Sequence, residues 1–187
     1  MTETAVTRWF GPHFAELHPL LQALHRQGGR LSGRIEIGFG PGLAGWAGRR
    51  LARRLGLPAD RAESGFTVEI RHEDGVLHWD RRFENGNCMV SRFRPVGTWP
   101  DGYWLEETGQ LRLRLTVDIV EGGWHWRPLG LRWGWVPLPL GLVPRSLAYK
   151  RIEGGRYRFE VAFTLPVFGR LLRYGGLLDA AAEPPAL

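Results

Sequence analysis

Leu111-Arg-Leu-Arg-Leu-Thr-Val-Asp-Ile-Val120 puts apolar side chains at 111, 113, 115, 117 and 119 and polar ones between them. A period of two is the mark of a strand with one buried and one wet face. Thr108-Gly109 precedes this stretch and Gly122-Gly123 follows it, residues that hairpin turns require, so its chain neighbours pair with it antiparallel. Outward from it the same period recurs. Strands are expected at 66–71, 75–83, 88–94, 102–108, 110–121, 123–135 and 156–165, with turns at 73–75, 84–87 and 100–102. In the last of these strands Tyr157, Phe159, Val161, Phe163 and Leu165 alternate with Arg158 and Glu160. Within 123–135 the parity switches at Pro128, from Trp124 and Trp126 to Leu129, Leu131, Trp133 and Trp135, which predicts a bulge.

Upstream the period changes. Phe14, Leu17, Leu20, Leu21 and Leu24 lie at helical spacing before Gly28-Gly29 and predict a helix over 13–27. A strand follows at 30–39. A second helix, 43–55, is stopped by Gly56 and Pro58; Ala44, Ala47, Leu51 and Leu55 form its core face, with Arg49, Arg50, Arg53, Arg54 and Trp46 opposite. Downstream, prolines and glycines in Pro137-Leu-Pro139-Leu-Gly-Leu-Val-Pro144 and Pro166-Val-Phe-Gly169 fix turns. Gly169, Gly175 and Gly176 break up the segment 166–178, and the Ala/Pro-rich residues 179–187 read as a frayed tail. The expectation is one α+β domain spanning 1–187. Its helices fall within 13–57 and its antiparallel sheet spans 65–165, strongly curved or closed into a barrel of about seven to eight strands, with the two N-terminal helices packed on or plugging it. A helix-grip fold is the alternative, and it requires a long C-terminal helix across the sheet.

Nine Trp and nine Phe in 187 residues make the core, or a pocket, strongly aromatic. The formal charge is +6, and all but one of the 25 basic residues are Arg, Lys150 being the exception. Acidic residues share the same segments, so the surface is mixed and no nucleic-acid partner is expected. A single cysteine excludes an intramolecular disulfide and a multi-cysteine metal site and fits a reducing cytoplasm; Cys88 itself reads as a buried structural thiol. The N-terminus lacks the features of a secretory signal, and the longest apolar run carries Arg132 and internal prolines, which a plain spanning helix does not tolerate. The expected location is cytoplasmic, with peripheral membrane contact through the Arg-rich helix and its Trp46 as an additional expectation.

Gly40-Pro-Gly42-Leu-Ala-Gly45 matches the dinucleotide-binding pattern G-x-G-x-x-G. The strand before it alternates charged residues where a parallel strand would be apolar throughout, and no strand-helix units follow, so it reads as a turn before a helix. The six histidines lack metal-site spacing and no serine sits in a nucleophile elbow; no metal and no cofactor is expected. His78-Trp-Asp-Arg-Arg-Phe83 is more informative. Alternation points Arg81 to the same side as Trp79 and Phe83, and a buried guanidinium needs a carboxylate or a ligand anion, for which Glu106 and Glu107 are the natural candidates. With Tyr103, Trp133 and Phe159 these residues form the candidate ligand site.

Six pieces in order carry a family resemblance: Gly29-Arg30-Leu31; Leu51-Ala-Arg-Arg-Leu-Gly-Leu-Pro58; Trp79-Asp-Arg-Arg-Phe83; Glu107-Thr-Gly109; Pro137-Leu-Pro139 with Pro144; and Pro166-Val-Phe-Gly169 leading to Tyr174-Gly-Gly-Leu177. In this the chain resembles a bacterial family without assigned activity, domain of unknown function 4166, found alone or fused behind NAD(P)-binding, dehydrogenase-like domains. The resemblance implies a role accessory to a reductase, here acting in trans, and supplies no catalytic residues. The leading expectation is therefore a module binding an apolar or amphipathic small molecule in the concave sheet, with Arg81 meeting its carboxylate or phosphate head. A small-molecule enzyme using Arg81 with Glu106 or Glu107 is the second expectation, and a protein- or membrane-docking domain with a filled core is the third.

Overall fold

The computed structural model describes residues 3–108, 111–138, 145–166 and 168–184; Gly109, Pro139, Pro144 and the last three residues of the expected tail lie outside them. A short helix α1 (Ala5–Phe10) runs into a 3₁₀ helix (Gly11–Glu16) and α2 (Pro19–Gln27). Strand β1 (Gly29–Phe39) and helix α3 (Gly42–Arg54) come next. Nine meander strands follow: β2 (Glu63–Glu73), β3 (Val76–Phe83), β4 (Cys88–Val96), β5 (Tyr103–Thr108), β6 (Leu111–Val120), β7 (Gly123–Trp133), β8 (Val136–Leu138), β9 (Arg145–Glu153) and β10 (Arg156–Leu165). The last strand is β11 (Gly169–Ala182). Neighbours run β6-β5-β4-β3-β2-β1-β11-β10-β9-β7, every pairing is antiparallel, and β7 pairs back onto β6. The fold is α+β, a closed barrel of ten strands with β8 added outside on β7 and three α-helices among the described residues. Closure removes the free edges that an open sheet of this size would leave.

Ten barrel strands replace the expected seven to eight because β9 and β11 carry no clean alternation. In β11 a register shift against β10 leaves the adjacent Leu171 and Leu172 both buried, and beyond it Tyr174 and Leu178 point inward while Gly175, Gly176 and Leu177 blur the alternation. Its glycines are packing residues, not breakers. A Cβ on Gly175 would run into the Phe159 carbonyl, and one on Gly176 into that of Arg34. The strand extends through Ala182, so the expected frayed tail is paired with β1 as far as Gly29↔Ala182, and residues 169–182 form a strand where a helix-grip fold needs a helix. The helix expected over 13–27 is interrupted at His18, which precedes Pro19 and takes φ −55°, ψ 140°, the extended geometry forced on a residue before proline. Helix α1 is a third helix, too short for periodicity, and is set by Thr4, whose side chain accepts from the Thr7 backbone N–H. The bulge at Pro128 is present: Leu115 faces Pro128 while Arg114 faces Gly130.

The two ends of the barrel differ. At one end α1, the 3₁₀ helix and α2 form a plug, tied to the strand turns by His18 N–H donating to the Gly122 carbonyl (2.9 Å) and Trp99 N–H to that of Trp9 (2.8 Å). Trp9, Phe10, Trp104 and Trp124 interlock there, with ring centroids 4.8 to 5.3 Å apart for three of their pairs. Truncating any one to Ala is expected to cost about 3–5 kcal/mol. At the other end α3 crosses β11. Cβ atoms on Gly40, the first glycine of the G-x-G-x-x-G pattern, and on Gly48 beyond it would collide with the Arg170 and Leu171 carbonyls, and one on Gly45 with the Gly40 carbonyl. These glycines serve close packing, and β1 before them lies between antiparallel neighbours.

Candidate functional site

Alternation sends every second side chain of the barrel inward, and above the aromatic plug these residues surround a cavity of about 660 Å³. Most of its wall is apolar, with Val68, Phe93, Leu115, Phe159 and Leu178 among the contributors. Leu51, Arg54 and Leu55 of α3 stand at its mouth, where the Arg54 guanidinium lies 5.6 Å over the ring of Trp133.

A few polar groups converge on this wall. From β3, Arg81 Nη1 donates to Ser91 Oγ on β4 at 2.8 Å, and its guanidinium lies 5.3 Å from the Trp79 ring. Glu106 reaches the same cavity from β5. Tyr157 and Tyr174 face it from β10 and β11; burial pushes both phenols above their ordinary pKa, and the Arg81 charge works against that shift in each. The Tyr157 hydroxyl and the Trp79 Nε1–H are buried without a hydrogen-bond partner among the described residues. Buried polar atoms without a partner are costly, and these two lie behind the cavity surface.

Lys150 of β9 also borders the cavity, at its floor. Its Nζ lies 2.7 Å from His25 Nε2 and 3.8 and 4.5 Å from the Trp124 and Trp79 rings. Burial, then the nearby Arg81 charge, holds the lysine well below its ordinary pKa. His72, close by, is lowered to about 4, chiefly by burial.

A family model described as Domain of unknown function (DUF4166) matches residues 17–178. The chain belongs to that family. None of the curated proteins matches it. The DUF4166 match runs from α2 into β11 and takes in all residues of the cavity wall, while α1, whose Trp9 and Phe10 seal the floor, lies outside it. No helix among the described residues is long and apolar enough to cross a membrane.

In this DUF4166 barrel Trp79, Arg81, Glu106, Trp133 and Phe159 line the cavity as a group. Phe83 points inward but packs on Phe66 at 5.1 Å, away from the open space. Tyr103 and Glu107 face outward. Fully buried Trp104 takes the inward parity of β5, leaving Tyr103 under Arg114 (4.2 Å) and Glu107 beside Arg112 (3.5 Å). Cys88 is exposed at the turn entering β4, where the expected buried thiol gives way to an Sγ 3.7 Å from the Gly86 carbonyl. Ser91, Tyr157, Tyr174 and Lys150 complete the site without having been singled out for it. For Lys150 a signal existed, since it is the one lysine among 25 basic residues.

Proposed function

We propose that this protein holds an apolar or amphipathic small molecule inside the barrel, with a carboxylate or phosphate head meeting Arg81. One observation carries the reading: the 660 Å³ cavity, apolar over most of its wall, has Arg81 and its partner Ser91 set into that wall. Ligand sites typically have volumes of about 300–1,000 Å³ and combine an apolar wall with a few placed polar groups. A guanidinium offers five N–H donors, and an acidic head would use those left beyond Ser91 while offsetting the cost of burying the charge. Native mass spectrometry of gently purified protein, compared with the denatured mass, tests this. A reproducible adduct lost on unfolding and absent from Arg81→Ala and Trp79→Ala is the expected result; the same adduct on both variants sinks the reading.

A second reading rests on Glu106, which opens on the same cavity as Arg81. A carboxylate and a guanidinium facing one bound molecule are the parts of an acid/base site. Conversion of the bound compound by the wild-type protein, abolished in Glu106→Gln with binding retained, would decide for an enzyme. Under either reading the partner suggested by the family's fusions is an NAD(P)-dependent reductase acting in trans, supplying or receiving the ligand.

A further inference from the structure

The mouth end carries surface features that ligand binding inside the barrel does not use. Leu43 and Trp46 project from α3, Trp135 from the β7–β8 turn and Phe168 from the β10–β11 turn; Trp46 is 64 % and Trp135 84 % exposed. Strand directions put all four at the end where α3 lies, opposite the plug. Arginines surround them. Arg49, Arg50, Arg53, Arg132, Arg145 and Arg170 are exposed at the same end, and none meets a carboxylate within ion-pair distance among the described residues. Elsewhere on the barrel several arginines are paired, Arg71 with Asp80, Arg151 with Glu153 and Arg156 with Asp179 among them. Arg112 and Arg132 stand directly opposite each other across β6 and β7; Glu107 pairs with Arg112, and Arg132 meets no carboxylate among the described residues.

From these features we infer that the mouth of the barrel docks on an anionic lipid bilayer. Aromatic side chains favour the headgroup level, and arginines gain from the negative surface potential; together they supply the two signals that stable peripheral binding takes. Leu51, Arg54 and Trp133 belong to both this end and the cavity wall, so the docked face is continuous with the opening. The inference rests on the ligand-binding reading only for what passes through the mouth, namely an amphipathic molecule exchanged with the bilayer.

Vesicle co-sedimentation of the full chain tests it, comparing pure phosphatidylcholine with vesicles containing roughly one third phosphatidylglycerol at about 0.1 M salt, where surface charges still act. Expected is partitioning onto the anionic vesicles at least about tenfold stronger than onto neutral ones, since each arginine near the surface contributes about a fivefold factor. Arg50→Glu with Arg53→Glu should weaken that binding about 25-fold or more, and Trp46→Ser with Trp135→Ser on the order of tenfold, while Arg8→Glu at the plugged end leaves it unchanged. Equal binding to both vesicle types, no binding to either, or unaltered binding by the mouth variants would overturn the inference. The same proteins are tested in vesicle-free buffer with a fluorescent fatty acid. Loss of probe binding by the wild type with vesicle binding intact would count against the cavity reading alone.

Discussion

Lys150 Nζ and His25 Nε2 share a hydrogen bond of 2.7 Å that joins β9 to the plug helix α2 at the barrel floor. Two basic groups are thus in contact, both essentially inaccessible, with no carboxylate within ion-pair distance of the lysine among the described residues. Burial favours the loss of a proton at both: His25 is held well below its ordinary pKa by burial, then by Lys150 and His72, and Lys150 by burial, then by Arg81. The other ring nitrogen of His25, Nδ1, has no partner among the described residues. The indole faces of Trp79 and Trp124 offset part of the cost of any remaining charge.

The lysine's depressed pKa has a definite sign in stability. Unfolded, it titrates near about 10.4, so between its lower folded pKa and that value the unfolded chain binds the extra proton and stability rises with pH. Melting temperatures of wild type and Lys150→Met, compared from about pH 7 to about pH 9, should show the wild type gaining on the variant as pH increases. Parallel curves would mean that Lys150 keeps its ordinary pKa in the barrel.

His72 makes the acid side of the same argument. Its folded pKa of about 4 lies below the unfolded value of about 6.5, so protonation favours the unfolded chain and stability is lost as pH falls through that window, by about 3 kcal/mol at most. Urea unfolding followed by tryptophan fluorescence at pH near 7, 5.5 and 4.5 should show this decline, and His72→Gln should flatten it. A decline of equal size in the variant would assign it to other groups.

Glycines in β11 and β1 offer a matched pair of substitutions. An alanine at 176 would press its Cβ into the Arg34 carbonyl and the Ile35 side chain, whereas at 38 nothing lies within 4 Å and φ is not in the left-handed region. Gly176→Ala should destabilise by about 1–3 kcal/mol, lowering the melting temperature by about 2–4 °C per kcal/mol, while Gly38→Ala is neutral or slightly stabilising. Equal melting temperatures for the two would contradict the close approach of β11 to β1.

The same packing explains what the sequence hid. Strands β3, β6 and β10 have one wet face, so Trp79, Arg81 and Phe159 could be placed inward from alternation alone. On β11 a register shift against β10 buries the adjacent Leu171 and Leu172, with the Leu171 carbonyl under Gly48 of α3, which interrupts the period of two, and Gly175-Gly176 mimics a break. Strand β9 is hidden for the opposite reason. Its inward residues Ser146, Ala148 and Lys150 are small or polar where the cavity needs room, while Leu147 points outward and is 51 % exposed. In β5 two adjacent aromatics, Tyr103 and Trp104, fit either parity, and only packing on Trp9 at 5.3 Å decides that Trp104 is inside.

Arg81 gives the sharpest test of the ligand's chemistry. Its guanidinium donates to Ser91 on the cavity wall, so the gain from a ligand's acidic head should depend on it. Charge-assisted hydrogen bonds contribute about 1.5–3 kcal/mol, which corresponds to about a tenfold to hundredfold change in affinity. A fluorescent fatty acid should therefore bind Arg81→Met about tenfold or more weaker than wild type, while its methyl ester, which keeps the chain but loses the charge, binds both proteins alike. If acid and ester weaken together, the substitution has changed the shape of the cavity and the head group lies elsewhere, with the Lys150 end the next place to look.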